Sequence, residues 1–103
     1  MSVYERIQRE IDTHTVMLYI KGTREAPEAG FSSQVVAVFR TLDVDFGVAN
    51  LLECAELRQA IKDFSSWPTI PQIFIRGKFL GGSDTLLEMY KSGELQRILG
   101  LGP

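Results

Sequence analysis

Apolar residues at Val3, Ile7 and Ile11 recur at helical spacing, with Glu5, Arg6, Gln8, Arg9 and Glu10 between them, so the chain opens on a short amphipathic helix. Val16 to Ile20 is a continuous apolar run of strand length. It stops at Lys21-Gly22-Thr23, and the stretch to Gly30 holds a proline and two glycines, which predicts a loop. From Ser32 to Leu42 the period turns helical, with Val35, Val36, Val38, Phe39 and Leu42 on a broad apolar face and Ser32 or Ser33 as cap. Phe46 to Leu51 predicts a second strand, and Glu53 to Phe64 a helix that turns Leu57, Ile61 and Phe64 inward. After Trp67-Pro68-Thr69-Ile70-Pro71, the runs Gln72 to Ile75 and Phe79 to Gly81 flank a turn at Arg76-Gly77-Lys78 and read as a hairpin. Asp84 to Lys91 and Gly93 to Leu99 predict two closing helices. No internal repeat or low-complexity tract interrupts the pattern.

A parallel strand pair with a crossover helix, followed by an antiparallel hairpin, predicts an α/β fold: a mixed four-stranded sheet with helices on both faces, the thioredoxin architecture. With 103 residues, 45% of them hydrophobic and 23% charged, one domain spanning residues 1–103 is expected, with enough apolar material to close a core unaided. The net charge is −2 and the basic residues are scattered, which argues against nucleic acid as a partner. Cysteine occurs once, at Cys54, so no intrachain disulfide forms. Together with a charged amino terminus that lacks an apolar core, this predicts a soluble protein of the cytoplasm or an equivalent interior compartment, with no membrane partner.

In such a sheet a ligand belongs beyond the carboxyl end of the first strand, where Lys21 to Phe31 leads into a helix start. The free amides and partial positive charge there suit a thiolate or carboxylate, and Lys21 adds a full charge. Lys21 alone would be an ordinary solvated lysine. The segments Lys21-Gly22-Thr23, Pro27, Gly30-Phe31-Ser32, Trp67-Pro68-Thr69-Ile70-Pro71-Gln72 and Gly81-Gly82-Ser83-Asp84 together resemble the monothiol glutaredoxins, in order and spacing, across almost the whole chain.

That family ends its loop in Cys-Gly-Phe-Ser, whereas this chain reads Ala29-Gly30-Phe31-Ser32. The resemblance makes position 29 the place of the catalytic thiol. It is also the place of the single ligand that each of two subunits gives to a bridging [2Fe-2S] cluster, completed by two glutathione thiols. A methyl group does neither, so this chain is expected to be inactive, cluster-free and monomeric. Its parent would be a cluster-bridged homodimer with weak or no oxidoreductase activity that binds and transfers [2Fe-2S] clusters, with BolA-type proteins as partners and apo iron-sulfur proteins as recipients. Ala29 is then an introduced or natural replacement. The alternative is a thiol-free module that binds glutathione or docks a protein.

For glutathione, the resemblance implies Lys21 and Arg58 at the glycine carboxylate and the Ile70 backbone pairing with the cysteinyl part beside a cis Pro71. It puts the Ser83 and Asp84 amides on the γ-glutamyl carboxylate and the Asp84 side chain on the ammonium, with Gly30, Phe31, Thr69 and Gly82 completing the pocket. Trp67 either flanks the pocket or a partner-facing surface, or covers the core edge; blander roles are a helix cap, beside the ligand role, for Asp84 and pairing with Asp63 or a nearby glutamate for Arg58. Phe31 is expected half-exposed, Cys54 a small buried or half-buried residue, and His14 without a metal role. No Cys-x-x-Cys supports a dithiol oxidoreductase, no second domain a glutathione transferase, and no acid-base pair a hydrolase.

Overall fold

The computed structural model describes residues 1–102 and orders its elements as α1 (Val3–Thr13), β1 (Val16–Ile20), α2 (Phe31–Thr41), β2 (Gly47–Asn50), α3 (Ala55–Ser65), β3 (Gln72–Ile75), β4 (Lys78–Gly81), α4 (Ser83–Ser92) and α5 (Glu94–Ile98). Pro103, the last residue of the expected domain, lies outside the described residues. The strands form one sheet in the order β2-β1-β3-β4, with β1 and β2 parallel and the other pairs antiparallel. This is the expected thioredoxin-type sheet, with helices on both faces.

The strand period divides the core. Val16, Leu18 and Ile20 of β1, with Ile73 and Ile75 of β3, pack against Val35, Val36 and Phe39 of α2 and Leu86 of α4. Met17 and Tyr19, with Ala49 and Phe74, point the other way, onto Ile7 and Ile11 of α1 and Leu57 and Ile61 of α3. All five residues of β1 are buried, which is why β1 reads as an unbroken apolar run.

Three local expectations are corrected. Neither Ser32 nor Ser33 caps α2: Gly30 is the N-cap, and the buried Ser32 hydroxyl instead accepts a hydrogen bond from the Lys21 N–H at 3.1 Å. Helix α3 begins at Ala55, two residues later than expected, because Cys54 caps it with Sγ accepting from the Leu57 N–H at 3.4 Å. Strand β2 is shorter than Phe46 to Leu51, since those two apolar residues lie in the core beyond the paired register of Gly47 to Asn50.

Tyr19 sits in the middle of the α1/α3 core, and its hydroxyl donates to Glu10 Oε1 at 2.9 Å while Glu10 Oε2 pairs with Arg6 at 3.1 Å. Burial, reinforced by the Glu10 carboxylate, pushes the Tyr19 hydroxyl well above its ordinary range. The folded state therefore keeps this proton after the unfolded chain has lost it, so the contribution is intact below about pH 10 and is lost as pH rises above it. We expect Tyr19→Phe to cost about 1 kcal/mol at neutral pH. It should also flatten the alkaline fall in stability, read by urea unfolding between about pH 8 and about pH 11.

Candidate functional site

Lys21 is the first residue past the buried strand β1, and the turn after it is held by side chains from elsewhere. Gly22 adopts φ +102°, and a Cβ there would lie 2.6 Å from both the Ala26 carbonyl oxygen and the Glu28 nitrogen, so only glycine fits. Its N–H donates to Asn50 Oδ1 at 2.9 Å, and the same oxygen accepts from the Leu52 N–H at 3.0 Å. The loop then closes on itself through a Gly22–Pro27 bridge and a bond from the Glu28 N–H to the Lys21 carbonyl at 2.8 Å. The Arg40 guanidinium of α2 donates to the Arg24 carbonyl, and Arg24 lies 4.2 Å over the Phe46 ring.

This loop delivers Ala29, exposed to solvent, to the start of α2. Gly30 takes φ +101° with open space around it, so backbone conformation alone calls for glycine there. Phe31 is 60% exposed, more than the half-exposure expected.

Lys21 and Arg58 share a groove of about 500 Å³ with Lys62, Pro68, Thr69 and Ile70. Four residues expected at the site thus meet in one recess. Lys62 and Pro68 were not anticipated, although the i, i+4 spacing of Arg58 and Lys62 on α3 puts them on one helical face. Among the described residues none of these three cations is in an ion pair: the salt bridges are Arg6–Glu10 and Arg24–Asp45. Arg58 is thus not paired with Asp63, which accepts from Gln59 instead. A roomier recess of about 590 Å³ at Gly93, Arg97, Gly100 and Gly102 offers a single charged side chain, so chemistry rather than size singles out the first.

The Ile70–Pro71 peptide is cis, as expected. Pro71 leads to the remaining residues: a Cβ on buried Gly82 would lie 3.5 Å from the Pro71 carbonyl oxygen and 3.4 Å from Trp67 Nε1. Gly82 caps α4 without a side-chain bond, leaving the Ser83 and Asp84 amides at the open helix end. Asp84 is therefore not the cap; it is exposed and in no ion pair among the described residues. Trp67 does cover the core edge, with its ring 5.8 Å from that of Phe79, while 39% exposed beside Gly82.

Asn50 joins the end of β2 to the Lys21 turn, so we expect Asn50→Ala to lower unfolding stability by about 1–3 kcal/mol. Asn50→Asp, which keeps the acceptor oxygen, should recover part of the loss, measured by chemical denaturation of the three proteins.

The glutaredoxin family model matches residues 16–80 of this chain. A monothiol glutaredoxin of Synechocystis sp. is 45% identical over 94 residues, covering 91% of this chain and 88% of its own length. A mitochondrial monothiol glutaredoxin of Arabidopsis thaliana is 46% identical over 98 residues, 95% of this chain. The chain spans only 58% of the length of that relative. Among solved structures, a reduced apo glutaredoxin of poplar superposes with a TM-score of 0.87 at 42% identity, over 96% of this chain and 91% of its own. With the fold, the cis-proline segment and the sequence relatives in agreement, this chain belongs to the glutaredoxin family, among the monothiol glutaredoxins.

Proposed function

We propose that this chain is a glutathione-binding domain, residues 1–103, of an iron-sulfur carrier whose cluster chemistry is disabled at position 29. The observation that carries this is the single groove joining Lys21 and Arg58 to Thr69 and Ile70, with its cations free of carboxylate partners among the described residues. A small peptide with a carboxylate at each end and an ammonium at one suits it. Lys21 and Arg58, with Lys62 nearby, hold the glycine carboxylate by charge-assisted hydrogen bonds. The Ile70 N–H and C=O, which bond to no other backbone group among the described residues, pair with the cysteinyl unit as a one-residue strand. The amides of Ser83 and Asp84 at the start of α4 take the γ-glutamyl carboxylate, and the Asp84 carboxylate takes its ammonium. This arrangement directs the glutathione sulfur toward Ala29, Gly30 and Phe31.

A [2Fe-2S] cluster, cargo of the parent form, needs a thiolate from each subunit. Ala29 has no ligand atom, and the only thiol, Cys54, is occupied in capping α3. Among the described residues no three His, Cys, Asp or Glu side chains converge as an alternative. The residues present do not fit the cluster. Transfer to apo iron-sulfur proteins, docking of a BolA-type protein and cluster-bridged dimerisation belong to the cysteine form. A reducing interior such as the cytoplasm suits a single-cysteine chain, and the mitochondrial relative extends the choice to organelles.

The test is anaerobic reconstitution of this chain and of Ala29→Cys with iron, sulfide and glutathione, read by visible absorption and gel filtration. We expect colour and a dimer from Ala29→Cys only. If neither protein colours, the carrier reading falls and a thiol-free binding module takes its place. Glutathione titration into the unreconstituted chain checks the pocket separately: Arg58→Ala should weaken binding about tenfold, and added salt should narrow that difference.

A further inference from the structure

We infer that Gln72 is the positioning residue that confines ligand pairing to Ile70, and that it does so by withdrawing the neighbouring carbonyls from the groove. This rests on the glutathione reading above and names the residue that sets its register.

Gln72 opens β3 directly after Pro71 and is 0% exposed. Its backbone stands opposite Tyr19 in the β1–β3 ladder, so its Cα is fixed by the centre of the sheet. Its Nε2 donates to the Trp67 carbonyl at 3.0 Å and to the Thr69 carbonyl at 3.2 Å. Both amide hydrogens are thus committed to the loop that forms one wall of the groove. The side-chain carbonyl Oε1, also buried, accepts no hydrogen bond from the protein among the described residues. Burying an amide with one end unsatisfied carries a desolvation cost that methionine or leucine of similar volume would avoid. The amide hydrogens are what such residues cannot supply.

The consequence is a census of the loop backbone. Trp67 N–H already donates to the Lys62 carbonyl and to Ser65 Oγ, and Pro68 and Pro71 have no N–H. Gln72 takes the carbonyls of Trp67 and Thr69. Ile70 is then the one residue from Trp67 to Pro71 with both its N–H and its C=O available for strand pairing among the described residues. A ligand strand can form its paired bonds at one position only, so an extended peptide has no second position into which to slip. Lys21 and Arg58 then meet a terminal carboxylate at a fixed distance from that position.

Two variants separate this from simple core packing. Gln72→Met keeps volume and removes both donors. Gln72→Glu at neutral pH sets a carboxylate against two carbonyl oxygens, and when protonated it regains one donor. With reduced glutathione as titrant, we expect Gln72→Met to bind at least tenfold more weakly than the parent chain while unfolding cooperatively. The deficit of Gln72→Glu, relative to the parent at each pH, should shrink as pH falls through its carboxyl range. A packing role alone would not produce that pH profile.

Affinity of Gln72→Met within twofold of the parent overturns the assignment. Should Gln72→Met fail to fold, a pH-independent deficit in Gln72→Glu overturns it equally. If the parent chain itself binds no glutathione, the pocket reading has failed, and the Gln72 role is judged on the free protein. There the Thr69 and Ile70 amide resonances should shift or multiply in the variant, and unchanged resonances would refute the role.

Discussion

A strand buried on both faces has to end somewhere, and how β1 ends organises the rest of this molecule. Val16 to Ile20 is enclosed by α1 and α3 on one side and α2 and α4 on the other, so its pairing is complete. At Lys21 the chain leaves the sheet within a single residue, and its backbone groups still need partners at a half-buried position. The Lys21 N–H finds Ser32 Oγ of α2, the Lys21 carbonyl finds the Glu28 N–H, and the Gly22 N–H finds Asn50 Oδ1 at the end of β2. Satisfying one strand terminus thereby gathers the start of α2, the end of β2 and the intervening loop at one end of the sheet. From that end of the sheet Lys21 enters the groove it shares with Arg58, Lys62 and Thr69.

Much of this was legible in the sequence, for a physical reason. Two-sided burial makes β1 an unbroken apolar run, and one-sided burial makes α1 and α3 amphipathic, so element order and fold class follow from period alone. What eluded the sequence depended on contacts between distant residues. Ser32 looks like a helix cap until the Lys21 N–H, eleven positions back, claims its hydroxyl; Cys54 looks like a small apolar residue until its sulfur is found capping α3. The site residues Lys21, Arg58, Thr69 and Ile70 came from resemblance of motifs, and the fold brings them to one recess. Lys62 stayed hidden because a lysine in the last turn of a helix already has a local explanation in the helix dipole. Asn50 and Gln72 stayed hidden because a side-chain amide shows its partners only in three dimensions.

The two amides also solve the same problem for the two loops that contribute Lys21 and Thr69 to the groove. Each stands at the end of a sheet strand and reaches into an adjoining loop, supplying hydrogen bonds that no neighbouring strand is there to make. A side-chain amide suits this because it carries donor and acceptor on one uncharged group. The loops that carry Lys21 and Ile70 are in this way tied to the core without adding charge beside the cationic groove.

The same arrangement leaves the side chain at position 29 outside the framework of the loop. Ala29 is exposed, and the bonds that shape its surroundings run between other groups: Glu28 N–H to Lys21, Ser33 N–H to the Glu28 carbonyl, and Gln34 N–H to the Gly30 carbonyl. No side chain at position 29 takes part in them, so the conformation of the loop does not depend on which small residue stands there. The groove that joins Lys21 and Arg58 to Thr69 and Ile70 is framed by other residues, whereas position 29 lies at the surface of the loop. A change between small side chains at position 29 therefore leaves these bonds, and the groove beside them, in place.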